Sequence, residues 1–281
     1  QTVLSGGKRL RPILTYTVSD IFGVSHKIVE PYCRAIELIH AASLAHDDVI
    51  DNADIRRGKP SINVVATNRK AILSGDYLLA NVLMEVSRLR RADIIEELSE
   101  VISELAEGEW IQIENSSKRF LTWNDIEEVA LKKTGSIMRL CCTIPAFLSD
   151  APKETLYTAQ KLGEKFGTAF QLANDILDFK REDSSGFQDI KSGVISSVVF
   201  HALSISQNRD YVTLLPEKIQ NITRNEIPPA IEKVKERVSV ILDESREILA
   251  KLRKTASRGR IASEACEGMT GIMNLLADGR I

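Results

Sequence analysis

Two groups of acids in this chain have the types and spacing to do chemistry. The first is Asp47-Asp48-Val49-Ile50-Asp51, and the second is Asn174-Asp175-Ile176-Leu177-Asp178. On a helix, residues four apart lie about 5–6 Å from each other. Asp47 and Asp51 then share one face, and Asn174 and Asp178 share another. Two carboxylates at that separation repel by about 3 kcal/mol at an effective dielectric near 20. Tolerating this twice implies a strongly positive group between the clusters. Mg²⁺ suits the role, because it takes oxygen ligands and binds through one or two carboxylates together with substrate phosphates. The flanks argue against solvated acidic faces. Leu38, Ile39, Ala41, Ala42, Leu44 and Ala45 precede Asp47, while Phe170, Leu172, Ala173, Ile176, Leu177 and Phe179 surround Asp175. Acids on such apolar helices need partners.

The elements that must carry these acids are helical. Counting back from Asp47 by four and by seven gives Ser43 and His40, so the acid stripe continues into a hydroxyl and an imidazole. Arg56 and Arg57 follow the helix, ahead of Gly58-Lys59-Pro60-Ser61. A metal held by acids, with arginines a few residues away, suits a diphosphate gripped from two sides, since each guanidinium can donate bidentately to its oxygens. In the second helix, Gln171, Asp175, Asp178 and Glu182 keep one side, and Gly163 and Gly167 leave room for close helix packing.

Helical periodicity runs through the rest. It predicts helices over Pro31 to Asn52, Arg69 to Leu89, Ala92 to Ser116, Trp123 to Leu148, Thr155 to Glu182, Ser192 to Ser206 and Pro228 to Thr255. Glycines and prolines fall mostly between these stretches, and neither repeat nor linker divides them. The reading is one all-α domain over residues 1–281. Composition is that of a globular protein, 43% hydrophobic and 27% charged, and the net charge of −2 gives no bulk attraction to nucleic acid. No run reaches the roughly eighteen apolar residues of a membrane span. Cys33, Cys141, Cys142 and Cys266 show neither metal-finger nor disulfide spacing, which points to buried thiols in a reducing, cytoplasmic-type compartment. The chain starts at Gln1 in mid-pattern, so an N-terminal part, including any targeting segment, is expected to be missing from it.

These motifs stand in an order that resembles the trans-prenyl diphosphate synthases, or polyprenyl synthetases. Gly7-Lys8-Arg9-Leu10-Arg11-Pro12 comes first, then Asp47 to Asp51 with Arg56-Arg57-Gly58, Gly75-Asp76-Tyr77-Leu78-Leu79, Lys133-Thr134, and Phe170-Gln171 leading into the second acids. The likeness spans nearly the whole chain. It implies a single-domain helical bundle around a central cavity, working as a homodimer or a heteromer. It also implies head-to-tail joining of isopentenyl diphosphate to an allylic diphosphate. By that resemblance Asp47, Asp48 and Asp51 hold Mg²⁺, with Asp175 and Asp178 completing a cluster of about three ions once diphosphate is bound. Arg56, Lys133, Thr134 and Gln171 face the allylic diphosphate, and Lys8, Arg9, His40 and Arg57 hold isopentenyl diphosphate. Asp47, Asp48, Asp51, Lys133, Gln171 and Asp175 form the catalytic set. Metal-aided departure of diphosphate leaves an allylic cation, the isopentenyl double bond attacks it, and the cation so formed loses a proton, for which the departed diphosphate is the usual acceptor in the family.

The chain departs from the family pattern at the second cluster. Asn174 stands where Asp is usual, and Ser184 and Val194 stand five residues either side of Asp189 where lysines are usual. Two alternatives follow. One is a weakly active or non-catalytic subunit of a heteromeric synthase. The other is a class I terpene cyclase, since Asn174-Asp175 with Asp178 and Glu182 approaches that group's second metal motif. The residues four and five positions before the first acids, Ser43 and Ala42, often limit chain length in the family. Both are small here, which implies a medium- to long-chain product of the quinone-tail kind, with Leu83 or Met84 as a deeper floor. His46 is read as a packing or supporting residue, His26 and His201 as ordinary, and Trp110 and Trp123 as core or dimer-interface residues. Lys251 to Arg260 reads as a solvated helix end.

Overall fold

The structure, a computed structural model, describes residues 9–56, 59–180, 190, 194–214, 219, 222, 225–256 and 259–281. Helix α1 (Leu10–Phe22) leads into α2 (His26–Ile50), which ends in the first acid cluster. A two-stranded hairpin, β1 (Ile55–Arg56) with β2 (Lys59–Pro60), precedes the single turn α3 (Ile62–Val65), α4 (Asn68–Ser87) and α5 (Ala92–Asn115). Strand β3 (Phe120–Thr122) opens α6 (Trp123–Ala130), which runs through a π-helical turn, Leu131–Gly135, into α7 (Ser136–Leu148). Then come α8 (Lys153–Lys180), α9 (Ser197–Gln207), β4 (Tyr211–Thr213) antiparallel to β3, α10 (Ile227–Thr255) and α11 (Arg260–Ala277).

Helix α7 is the centre, with Ser136 to Ala146 all buried. Helices α1, α2, α5 and α8 pack around it, α8 in turn meets α10, and α2 lies along α4. A Cβ on Gly163 would sit 2.4 Å from the Arg139 Cα, and one on Gly167 would sit 2.7 Å from the Gly135 Cα. The two glycines therefore permit the close helix packing that their spacing predicts, and the partner is α7. Arg139, buried on α7, donates to Glu97 at 3.0 Å and to Glu104 at 3.0 Å and lies 3.8 Å from Glu164. That single guanidinium ties α5, α7 and α8 together behind the acid clusters. The four cysteines are free and buried, and burial pushes Cys33 to about 11 and Cys141 to about 12, which keeps those thiols protonated and inert.

The all-α expectation holds, with two short antiparallel pairs added. Helix α2 starts at His26 rather than Pro31, the proline lying inside it. The predicted helix from Trp123 to Leu148 is interrupted by the π turn, a departure that apolar periodicity does not register. The helix expected from Ser192 begins at Ser197, because the Ser196 hydroxyl caps it by accepting from Val199 N–H. Helices α1 and α11 fall outside the predicted set, and the basic segment from Lys251 spans the end of α10 and the start of α11. No described helix is long and apolar enough to cross a membrane.

Candidate functional site

Helix α2 stops directly after its acids. Asn52 adopts a left-handed conformation at φ 49°, Ala53 N–H donates to Asp48 C=O at 3.0 Å, and Asn52 N–H donates to Val49 C=O at 3.3 Å. This Schellman closure fixes Asp47, Asp48 and Asp51 in or next to the last turn. The C-terminal end of a helix dipole is negative, so three acids there add to their mutual repulsion. Asp48 escapes inward. It is 3% exposed, pairs with Arg56 from β1, and accepts from Ile62 N–H at 3.5 Å. Asp47 and Asp51 have no side-chain hydrogen bond among the described residues. Burial lifts the Asp47 carboxyl to about 6, with Glu109 and Asp51 raising it and Lys133 and Arg56 opposing. Asp51 is raised in the same way, burial first.

The cation facing them comes from the π turn. Gly108 on α5 lets this turn approach, since a Cβ there would meet Lys133 Cγ at 2.8 Å and Lys133 N at 3.1 Å. Lys133 Nζ pairs with the Glu109 carboxylate and donates to Gln112 Oε1 at 3.1 Å. Its charge acts on Asp47 and Asp51 from α2 and on Asp175 from α8, so the lysine is within electrostatic reach of both clusters. Thr134, next in the turn, donates through Oγ1 to Gln171 Oε1 at 2.7 Å.

On α8 the second cluster is wired differently. Gln171 Nε2 donates to Asp175 Oδ1 at 2.9 Å. The other oxygen, Oδ2, accepts from Ser197 N–H at 3.0 Å and Ser197 Oγ at 2.7 Å. Asp175 thus receives the N-terminus of α9 while Thr134 and Gln171 complete a chain across three elements. Burial raises its carboxyl against these bonds. Asn174 and Asp178 are half-buried beside it.

Other predicted residues fall around this frame. His40 is half-buried on α2, and its carbonyl accepts from Ser43 Oγ at 3.0 Å. Ala42 is fully buried and Ser43 half-buried, whereas Leu83 and Met84 are exposed on α4. His46 Nε2 lies 3.2 Å from Ile72 C=O and 3.3 Å from Asp76, a supporting role. Gly75 makes that approach possible, because a Cβ there would lie 2.2 Å from the ring. Arg9 is exposed at a left-handed N-cap of α1, while Arg11 is half-buried with its Nε inside. Trp123 stacks on His201 at 4.6 Å and Trp110 is 68% exposed. Burial lowers His201 to about 4, and His26 pairs with Asp20 at 2.9 Å. Lys8, Arg57, Glu182, Ser184 and Asp189 lie outside the described residues, and Val194 is half-buried.

Sequence reasoning missed Glu109, Gln112 and Ser197. The first two stand three apart on a helix, directly after Gly108, and that spacing was the available signal. For Ser197 nothing in the sequence marks a link to Asp175.

Among the described residues no three His, Cys, Asp or Glu side chains converge as a ready-made metal site. The donor set still fits a hard cation. Asp47 and Asp51 offer oxygen atoms that no donor among the described residues occupies, and Mg²⁺ ordinarily fills the rest of its shell with water and phosphate oxygens.

The sequence profile of the polyprenyl synthetase family matches residues 1–237. The chain belongs to the polyprenyl synthetase family. It is 39% identical over 181 residues to a prenyl transferase of Synechocystis, covering 62% of this chain and 55% of that protein. It is 37% identical over 178 residues to a decaprenyl-diphosphate synthase of Dictyostelium discoideum, covering 62% and 38%. The chain thus spans about half, or less, of the length of these curated relatives. Its fold matches that of a Caulobacter crescentus polyprenyl synthase, crystallised with calcium and isoprenyl diphosphate, at a TM-score of 0.83. That match covers 98% of this chain and 86% of the other at 23% identity, and it establishes the shared all-α fold.

Proposed function

We propose that this polyprenyl synthetase catalyses Mg²⁺-dependent, head-to-tail condensation of isopentenyl diphosphate with an allylic diphosphate. The product is a medium- to long-chain trans-polyprenyl diphosphate. The observation that carries this reading is the pair Asp47 and Asp51, held by the closing turn of α2 with no side-chain hydrogen bond among the described residues and within reach of a lysine that also acts on Asp175. Membership of the family and the activities named for its relatives support it.

In this reading Asp47 and Asp51 are the first cation ligands, with Asp178 and the remaining lone pair of Asp175 contributing from α8. Bound Mg²⁺ would supply the charge that stabilises the departing diphosphate. Lys133 donates to that diphosphate as it leaves. Asp48 orients Arg56, whose guanidinium can grip two diphosphate oxygens at once. Thr134 and Gln171 fix the π turn against α8, so Lys133 keeps its place while charge develops. Isopentenyl diphosphate is held by Lys8, Arg9, His40 and Arg57. Ala42 and Ser43 leave the elongation path open at their level. Leu73, Tyr77 and Met84 form one exposed stripe on α4, and Trp110 and Ile113 another on α5, which supports a dimer. The site operates in a reducing, cytoplasmic-type compartment.

A second reading, a subunit that needs a partner, is favoured by Asn174 and by the commitment of Asp175 to Ser197 and Gln171. Incubating the purified chain with labelled isopentenyl diphosphate, an allylic diphosphate and Mg²⁺ separates the two. Elongated diphosphates are expected from the chain alone. Silence that a partner subunit relieves would select the second reading, and a hydrocarbon product would indicate a cyclase. Replacing Ala42→Phe should shorten the product, and an unchanged length would remove the proposed role of that position.

A further inference from the structure

Glu109 is the least explained charge at the site. It is 7% exposed on α5, and both carboxylate oxygens are buried without a hydrogen bond that meets normal geometry. Its partner is the Lys133 ammonium. A buried carboxylate beside two others, Asp47 and Asp51, is electrostatically costly. As a repulsive neighbour it raises both of them.

We propose that Glu109 is a positioning residue that acts through Lys133. This rests on the reading of the site as a diphosphate site. Lysine is a compact point charge on a flexible four-carbon stem, so its ammonium goes wherever anions offer the best pairing. With Asp47, Asp51 and Asp175 all within its electrostatic reach, an untethered ammonium would collapse onto one cluster and neutralise acids needed by a cation. Glu109 and Gln112 Oε1, 3.1 Å from Nζ, hold it between them. The backbone is arranged for this contact. Gly108 brings α5 against the Lys133 stem, and the π turn displaces Lys133 from the register an uninterrupted helix would give it.

The sign of the effect separates positioning from simple charge. Deleting a negative charge near an anion site should tighten anion binding by Coulomb's law. Loss of a tether should weaken it. The experiment is a double-mutant cycle in the full chain: wild type, Glu109→Gln, Lys133→Gln and both together. Each is titrated calorimetrically with inorganic diphosphate in excess Mg²⁺, and its fold is checked by thermal melting. Glu109→Gln should weaken binding about tenfold when Lys133 is present, and should leave it unchanged or tighten it in Lys133→Gln, where only the Coulomb effect remains. Tighter binding with Lys133 present, or equal weakening in both backgrounds, would overturn the proposal. Should Glu109→Gln fail to fold, Glu109→Asp carries the same test, because the shorter acid keeps the charge but withdraws the contact. A wild-type chain that binds diphosphate without elongating it removes only the synthase reading. One that binds no diphosphate removes both.

Discussion

The two acid clusters look alike in sequence and do different work in the fold. Each lies on a long helix, and at the end of α2 the helix dipole opposes negative charge. At the end of α2, Asp47 and Asp51 have no donor to their carboxylates among the described residues, and burial lifts Asp47 to about 6. On α8, Asp175 takes three hydrogen bonds and holds the start of α9. The first cluster is a charge awaiting a counter-charge, and the second is in part a strut. A spacing of acids therefore reports what they could bind, whereas their donors decide how much of that capacity remains.

The largest expected effect is on turnover. Asp47→Asn should lower kcat/KM by about a thousandfold, the scale seen when a charge-stabilising group is lost. Asp175→Asn should cost closer to tenfold, since part of its role is structural. Equal losses in steady-state assays would erase the distinction between the clusters.

Stability should move in opposite directions. An aspartate titrates near 4 in an unfolded chain, whereas Asp47 sits at about 6 in the folded one. The folded state then holds more protons between those values, so this group's contribution to stability falls as pH rises from about 4 to about 6. In metal-free buffer at pH 7, Asp47→Asn should stabilise the protein by about 2 kcal/mol and flatten that part of the pH profile. Asp175→Asn should instead destabilise it by about 1–2 kcal/mol, because an amide turns a donor toward Ser197 or Gln171. Denaturant melts across this pH range check both.

The smallest effect sharpens the comparison from the other side. Asn174→Asp restores a carboxylate to the second cluster and should lower the Mg²⁺ concentration for half-maximal activity a few-fold, on the order of 1 kcal/mol. An unchanged Mg²⁺ requirement would mean that α8 contributes little to cation binding.

Much of this arrangement was legible in the residues. The i, i+4 acids and Arg56 marked the site, the family resemblance added the Lys133-Thr134 pair, and Gly163 and Gly167 marked a close helix contact. These are local patterns, and apolar flanks favoured the metal reading of the acids over a solvated face. What stayed hidden depends on tertiary placement. The π turn leaves apolar spacing nearly intact, so Trp123 to Leu148 reads as one helix. Asp48 has the same sequence credentials as Asp47, and only the position of β1 and α3 turns it toward Arg56 and Ile62 N–H. Glu109 reads as one more charge on an amphipathic helix until Gly108 brings Lys133 beside it.

The central claim is that α2 carries the primary cation site. Its most direct test is a Mn²⁺ titration with inorganic diphosphate present, following free Mn²⁺ by electron paramagnetic resonance in wild type, Asp47→Asn and Asp175→Asn. The expected result is loss of tight Mn²⁺ binding in Asp47→Asn and its retention in Asp175→Asn. Wild-type binding in Asp47→Asn, or an equal loss in Asp175→Asn, would contradict the account.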